Sequence, residues 1–223
     1  MSEEYLMTGS FGLDVDDWQG IFYDDDLPAD WRAAYYSTLL RSVLLPQQEW
    51  QQAIEDNVTE EVDEDFRFVL YLEPDADEQG GPLATLSALP AKFASQVAGV
   101  VLAGAPAHLH TEVAKAVHEI RQMFPLCLDT GVVDYAESGV DVFCEDVDVA
   151  AVWYPSAPAE PLPSGDFLVT LIDQQSLQEQ RKIMEVLGQW MSGRRGAALF
   201  NTSSKDAPLR AQESRVLAEL MGV

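Results

Sequence analysis

Several short apolar runs in this chain end in an acid or an amide. Glu73 follows residues 66–72, Asp129 follows 126–128, Glu145 and Asp146 follow 140–144, Asp173 follows 167–172, and Asn201 follows 197–200. If these runs are strands of one parallel barrel, their carboxyl ends face one mouth, where such folds carry their chemistry. Asp129, Glu145 and Asp173 would then form an oxygen-rich set able to hold Mg²⁺ or Mn²⁺, hard cations that take carboxylate ligands. Without a metal, Asp129 and Asp173 could divide acid and base roles, provided burial raised the pKa of one. His108 lies just past residues 97–103 and is a candidate general base with them. Glu73 and Asn201 would line the same opening as binding groups. The competing reading is plain: Asp and Asn favour the turns that end strands, and a chain with 38 acids places some there by chance.

A second constellation lies near the N-terminus. Asp14, Asp16, Asp17, Asp24, Asp25 and Asp26 bracket Trp18, Phe22 and Tyr23. Trp18 and Tyr23, rimmed by acids, could receive a cationic ligand by cation–π and charge attraction. Structurally, the same aromatics would pack the first loop over the barrel top. Nucleophile signals are absent: there is no G-x-S-x-G, no Walker A pattern, and Gly9-Ser10-Phe11-Gly12 lacks the third glycine of a dinucleotide fingerprint. His108 and His110, two apart, do not share a helix face, and His118 falls in an amphipathic stretch and reads as structural.

The elements that must position these groups alternate. Nine apolar runs, at 5–11, 42–45, 66–72, 97–103, 126–128, 140–144, 150–154, 167–172 and 197–200, are rich in Val, Leu and Phe and do not alternate strictly. That suits strands buried on both faces of a parallel sheet. An eight-stranded barrel needs one fewer, so 140–144 or 150–154 is expected to lie outside it. Helices are expected over 28–41, 107–124, 174–192 and 207–221, with Val113, Val117, Ile120 and Phe124 on one face of the second and Ile183, Met184, Leu187 and Trp190 on one face of the third. Strand and helix alternation implies α/β with right-handed crossovers. The proline-bearing stretch 156–165 reads as a surface loop, so residues 1–223 are expected to form a single domain.

Composition bounds the partners. The formal net charge is −25, with four lysines and nine arginines. Phosphate binding needs clustered Lys and Arg, so the charge argues against a nucleic-acid role and against adsorption to anionic membranes. Cys127 and Cys144 sit in apolar runs and read as buried thiols, neither a disulfide framework nor a zinc set. No apolar run approaches the roughly 20 residues that span a bilayer, and Met1-Ser2-Glu3-Glu4 carries no basic leader. The expectation is a cytoplasmic protein whose partner is a small molecule or another protein; oligomeric state is not encoded in any pattern here.

The stretch Asp16-Asp17-Trp18-Gln19-Gly20-Ile21-Phe22-Tyr23, followed by Leu27-Pro28 and Tyr35-Tyr36, resembles the opening of the domain of unknown function 72 family. Those proteins run from a first strand into a W-x-G-x-F-Y turn, a Leu-Pro helix start and a Tyr-Tyr pair. Phe200-Asn201-Thr202 with Ala207-Pro208-Leu209-Arg210-Ala211 is similar to the family's last strand and closing helix. The resemblance implies a small, irregular (β/α)₈ TIM-like barrel of no settled activity. The polar positions of the middle depart from it. The family's E-x-R and Trp near the fifth strand are replaced by Leu126-Cys127-Leu128-Asp129-Thr130, and its Tyr-x-Arg-x-His-Gly near the seventh by residues 167–173, which lack both Arg and His. The second Asn of the closing pair is Thr202. Two functions follow: a diverged barrel serving as a non-catalytic binding or interaction module, or a divalent-metal-dependent hydrolase or phosphoesterase with carboxylates at the barrel mouth.

Overall fold

The structure is a computed structural model; it describes residues 6–73, 84, 86–103, 111–129, 149–155, 162–194, 196–203 and 205–223. Among these residues the strands are β1 (Met7–Ser10), β2 (Ser42–Leu45), β3 (Arg67–Leu72), β4 (Val97–Ala103), β5 (Leu126–Asp129), β6 (Ala150–Ala151), β7 (Phe167–Ile172) and β8 (Gly196–Asn201). The helices are α1 (Arg32–Leu39), α2 (Gln47–Glu55), α3 (Ala91–Gln96), α4 (Thr111–Met123), α5 (Leu177–Met191) and α6 (Ala207–Met221). Of the two segments expected to compete for one strand position, residues 150–154 contain β6, and residues 140–144 lie outside the described residues.

Every strand pairing is parallel. One sheet has the order β2-β3-β4-β5-β6 and the other β1-β8-β7. Isolated parallel bridges join Phe11 to Leu44 and Trp153 to Thr170. The expectation was one continuous barrel sheet; among the described residues the structure is a mixed α/β fold with two parallel sheets.

The break between β1 and β2 has a local cause. Side-chain hydroxyls occupy positions that a backbone ladder would use: Ser42 Oγ donates to the Thr8 carbonyl at 3.0 Å, and the Ser10 N–H donates to the Tyr36 hydroxyl at 3.0 Å. The chain rejoins β2 only beyond this point, where the Gly12 N–H donates to the Leu44 carbonyl at 2.8 Å. At the other break, β6 is two residues long. Past it, the Trp153 N–H donates to Val169 and the Trp153 carbonyl accepts from Leu171.

Strands buried on both faces explain the near-continuous apolar runs. In β2, β5, β7 and β8 every residue is buried. Their side chains divide between two clusters. Val43, Leu45, Leu70, Val100 and Leu128 pack with Tyr36, Trp50, Phe93 and Ile120 of the helices. Leu44, Val69, Val101 and Cys127 pack with Phe167, Phe200 and the buried face of α5.

The W-x-G-x-F-Y turn is fixed by its backbone. The Trp18 carbonyl accepts from the N–H groups of Ile21, Phe22 and Tyr23, and Gly20 adopts φ +74°. A Cβ there would lie in the left-handed region and come within 2.6 Å of Asp25 Oδ1, so glycine is the residue that fits without strain. Phe22 then packs edge-on against Tyr23, Tyr35 and Tyr36.

Candidate functional site at the carboxyl ends of the strands

Asp129 is the last residue of β5 and is 6% exposed. Two hydroxyls converge on one of its oxygens: Tyr71 of β3 donates to Oδ2 at 2.6 Å and Tyr154, just past β6, donates to the same atom at 2.8 Å. A buried carboxylate needs such partners, because desolvating a charge without them is costly. Tyr71 reaches Asp129 across β4, where Ala103 is the register partner of Asp129. Phe11, just past β1, packs edge-on to the Tyr71 ring with centroids 5.3 Å apart. The Tyr71 carbonyl accepts from Trp50 Nε1 of α2 at 3.3 Å, which fixes this part of β3 from the helix side.

The electrostatics hold Tyr71 as a donor. Burial pushes its pKa well above the ordinary phenol range, and the Asp129 hydrogen bond and charge, with the Glu73 charge, push the same way. Tyr71 therefore stays protonated at any physiological pH and does not serve as a base. The arrangement is a fixed acceptor whose neighbours are already oriented, which suits recognition of a hydrogen-bond donor or a cation.

The other groups singled out in the sequence stand as follows. Asp173, one residue beyond β7, is exposed, and its N–H donates to Gln175 Oε1 at 2.8 Å. Glu73, one residue beyond β3, is exposed; its N–H donates to Gln47 Oε1 at 3.0 Å. Asn201 is fully buried and turned toward the helices, with Nδ2 donating to Ser214 Oγ of α6 at 3.2 Å; Ser214 in turn donates to Gln180 Oε1 of α5 at 2.9 Å. Trp18 and Tyr23 are each 1% exposed and belong to the helix-side core. The Tyr23 hydroxyl donates to the Leu13 carbonyl at 2.7 Å. His108 and Glu145 lie outside the described residues. Among the described residues no group of three or more His, Cys, Asp or Glu is placed to hold a metal ion.

Sequence reasoning passed over Tyr71 and Tyr154. A signal was present: each is a hydroxyl in an otherwise apolar run. Tyr71 has the same side-chain parity as Val69, and Tyr154 the same parity as Val152, so each falls on the face shared with Cys127 and Asp129. Glu49 was missed as well. It sits in the first turn of α2, where Oε2 accepts the Leu13 N–H at 2.6 Å and the Asp14 N–H at 3.4 Å. Burial raises its pKa above the usual carboxylate value, and these two bonds pull against that shift.

No protein-family model matches the sequence, and no curated protein does. Solved structures do match. A DUF72 family protein of Thermotoga maritima superposes with a TM-score of 0.68 at 13% identity, over 96% of this chain and 99% of its own. A DUF72 family protein of Enterococcus faecalis gives 0.55 at 11% identity, over 99% of each chain. A second crystal structure of that protein gives 0.55 at 10% identity. At these identities the likeness is one of fold: this chain has the fold of DUF72 family proteins.

Proposed function

We propose that this chain is a single-domain, barrel-type binding module, and that its ligand presents an ammonium, guanidinium or hydroxyl donor to Asp129. The observation that carries this reading is the buried carboxylate held by two tyrosine hydroxyls where three strands end. In α/β barrels this end of the sheet is where ligands bind. Barrel closure is part of the proposal. It draws support from the bridges at Phe11–Leu44 and Trp153–Thr170, which join both ends of one sheet to the other. It draws further support from Gly99 of β4, where a Cβ would come within 2.5 Å of the Phe167 ring of β7 in the opposite sheet.

Recognition is favoured over catalysis by the groups that the described residues place on Asp129, two hydroxyl donors that orient it as an acceptor. Tyr71 is held protonated by its surroundings. The metal-dependent hydrolase reading draws on Glu145 and His108, outside the described residues, and no observation favours it.

The test is ligand-observed NMR over a panel of small amines, guanidines and polyols, with Mg²⁺ and Mn²⁺ as separate arms. The expected result is saturable binding of a donor-bearing compound that disappears in Asp129→Asn and weakens in Tyr154→Phe. Compounds bound equally well by Asp129→Asn would overturn the assignment of the site. Metal binding that depends on Asp129 and Asp173 would replace it with the hydrolase reading.

A further inference from the structure

A recess lies on the helix side of the same end of the fold, apart from Asp129. It has a volume of about 460 Å³ and lies between α1 with its preceding turn and α2. Its floor is apolar, with Leu13, Leu45, Ala53 and Val58. Its rim carries Asp14, Asp30, Glu49, Asp56 and Glu61 against one cation, Arg32. Arg32 is already engaged: it pairs with Asp14, donates to Gln19 Oε1 at 2.6 Å and stacks over the Tyr23 ring. Among the described residues, Asp30, Glu49, Asp56 and Glu61 have no cationic partner.

An acidic rim alone would be an ordinary solvated surface. The independent observation is Trp31. It stands between Asp30 and Arg32, which both line the recess, yet it is 64% exposed. A tryptophan left in water is uncommon in a side chain of this size, and tryptophan is enriched among the anchors of protein interfaces. Trp31 is not part of the recess wall, so a small cation confined to the recess would leave it bare. A peptide long enough to seat a cation in the recess and cover its edge would bury both. An anionic membrane is repelled by a chain of charge −25.

We infer that this face docks a basic segment of a protein partner, with one lysine or arginine side chain seated in the recess and an apolar neighbour packed on Trp31. The aliphatic stem of that side chain would lie on Leu13 and Ala53 while its head meets Glu49 and Glu61. This site is independent of the ligand proposed at Asp129.

The experiment is binding to an array of short peptides in which Lys and Arg are interspersed with Leu and Phe, followed by fluorescence polarisation of the best binder at physiological salt. Glu61→Lys and Trp31→Ala change exposed groups and test the two halves separately. Glu213→Lys, an exposed position on α6, makes the same charge change elsewhere. The expected result is an affinity loss of about tenfold or more for each of the first two and none for the third. Equal losses from Glu61→Lys and Glu213→Lys would mean only the overall charge is sensed, and would overturn the proposal. Binding that survives Trp31→Ala would reduce the site to a small-cation recess, and no binding by any basic peptide would remove it.

Discussion

Asp129 is costly to bury, and Tyr71 and Tyr154 both donate to it, so the first consequences fall on single hydroxyls. Tyr71→Phe removes one of the two donors to Oδ2 among the described residues and should cost about 1.5–3 kcal/mol, the usual range for a hydrogen bond to a charged group. Urea unfolding checks it, and combining it with Tyr154→Phe should give a non-additive loss, because both donors serve one atom. Glu49 makes the opposite case. Its folded pKa lies above its ordinary value of 4.5, so the native state holds its proton more tightly than the unfolded chain does. Below 4.5 both states are protonated and no penalty exists; as pH rises through the folded value, the buried charge forms and stability is lost. Glu49→Gln keeps an acceptor for the Leu13 N–H and should erase that loss, seen as a flatter stability curve as pH rises above 4.5. At this scale the sequence was half legible. Asp129 was visible because an acid closing an apolar run is conspicuous. Tyr71 and Tyr154 were not, because an aromatic in a strand reads as core until a partner 58 or 25 residues away is known.

Elements were legible in proportion to their local signals. The helix expected over 174–192 forms as α5 over Leu177–Met191, with the buried stripe Ile183, Met184, Leu187, Trp190 and Met191. Its start is a capping box: Ser176 Oγ accepts the Glu179 N–H, and Glu179 Oε2 accepts the Ser176 N–H at 2.8 Å. Ser176→Ala should cost about 1 kcal/mol by removing the cap, seen as a melting temperature lower by roughly 2–4 °C for a chain of this size. The strands Ser42–Leu45, Val97–Ala103 and Phe167–Ile172 match their expected bounds because each is a compact apolar run. Helix α2 escaped notice. Its sequence is Gln-rich, and only Trp50 and Ala53 are buried, too few apolar positions to mark a period. Its role becomes clear only in place, where Trp50, Glu49 and Gln47 each hold a different loop or strand.

At the scale of the whole molecule, the ends of the chain announced the fold and the middle did not. The opening turn and the closing helix are local motifs, so they can be read without knowing their neighbours. The pairing of two sheets depends on contacts far apart in sequence, such as Gly99 with Phe167. That contact yields a prediction about closure. Gly99→Val would force a branched side chain into the Phe167 ring and should cost at least about 1–3 kcal/mol, with broadened methyl resonances at Leu171 and Val101 in both sheets. A loss confined to β4 would argue that the two sheets do not share an interior. The break between β1 and β2 was invisible in sequence, because it arises where Ser42 and Tyr36 take over backbone partners, and a serine in an apolar run does not announce that exchange.

Asp129, the proposed recognition group, carries the most weight. Titration calorimetry of the best donor-bearing compound into the wild-type chain and into Asp129→Asn tests that directly. The predicted result is a measurable heat of binding in the first and none in the second, while urea unfolding shows that the variant remains folded. Equal heats in the two proteins would contradict the account and move the site away from the carboxyl ends of the strands.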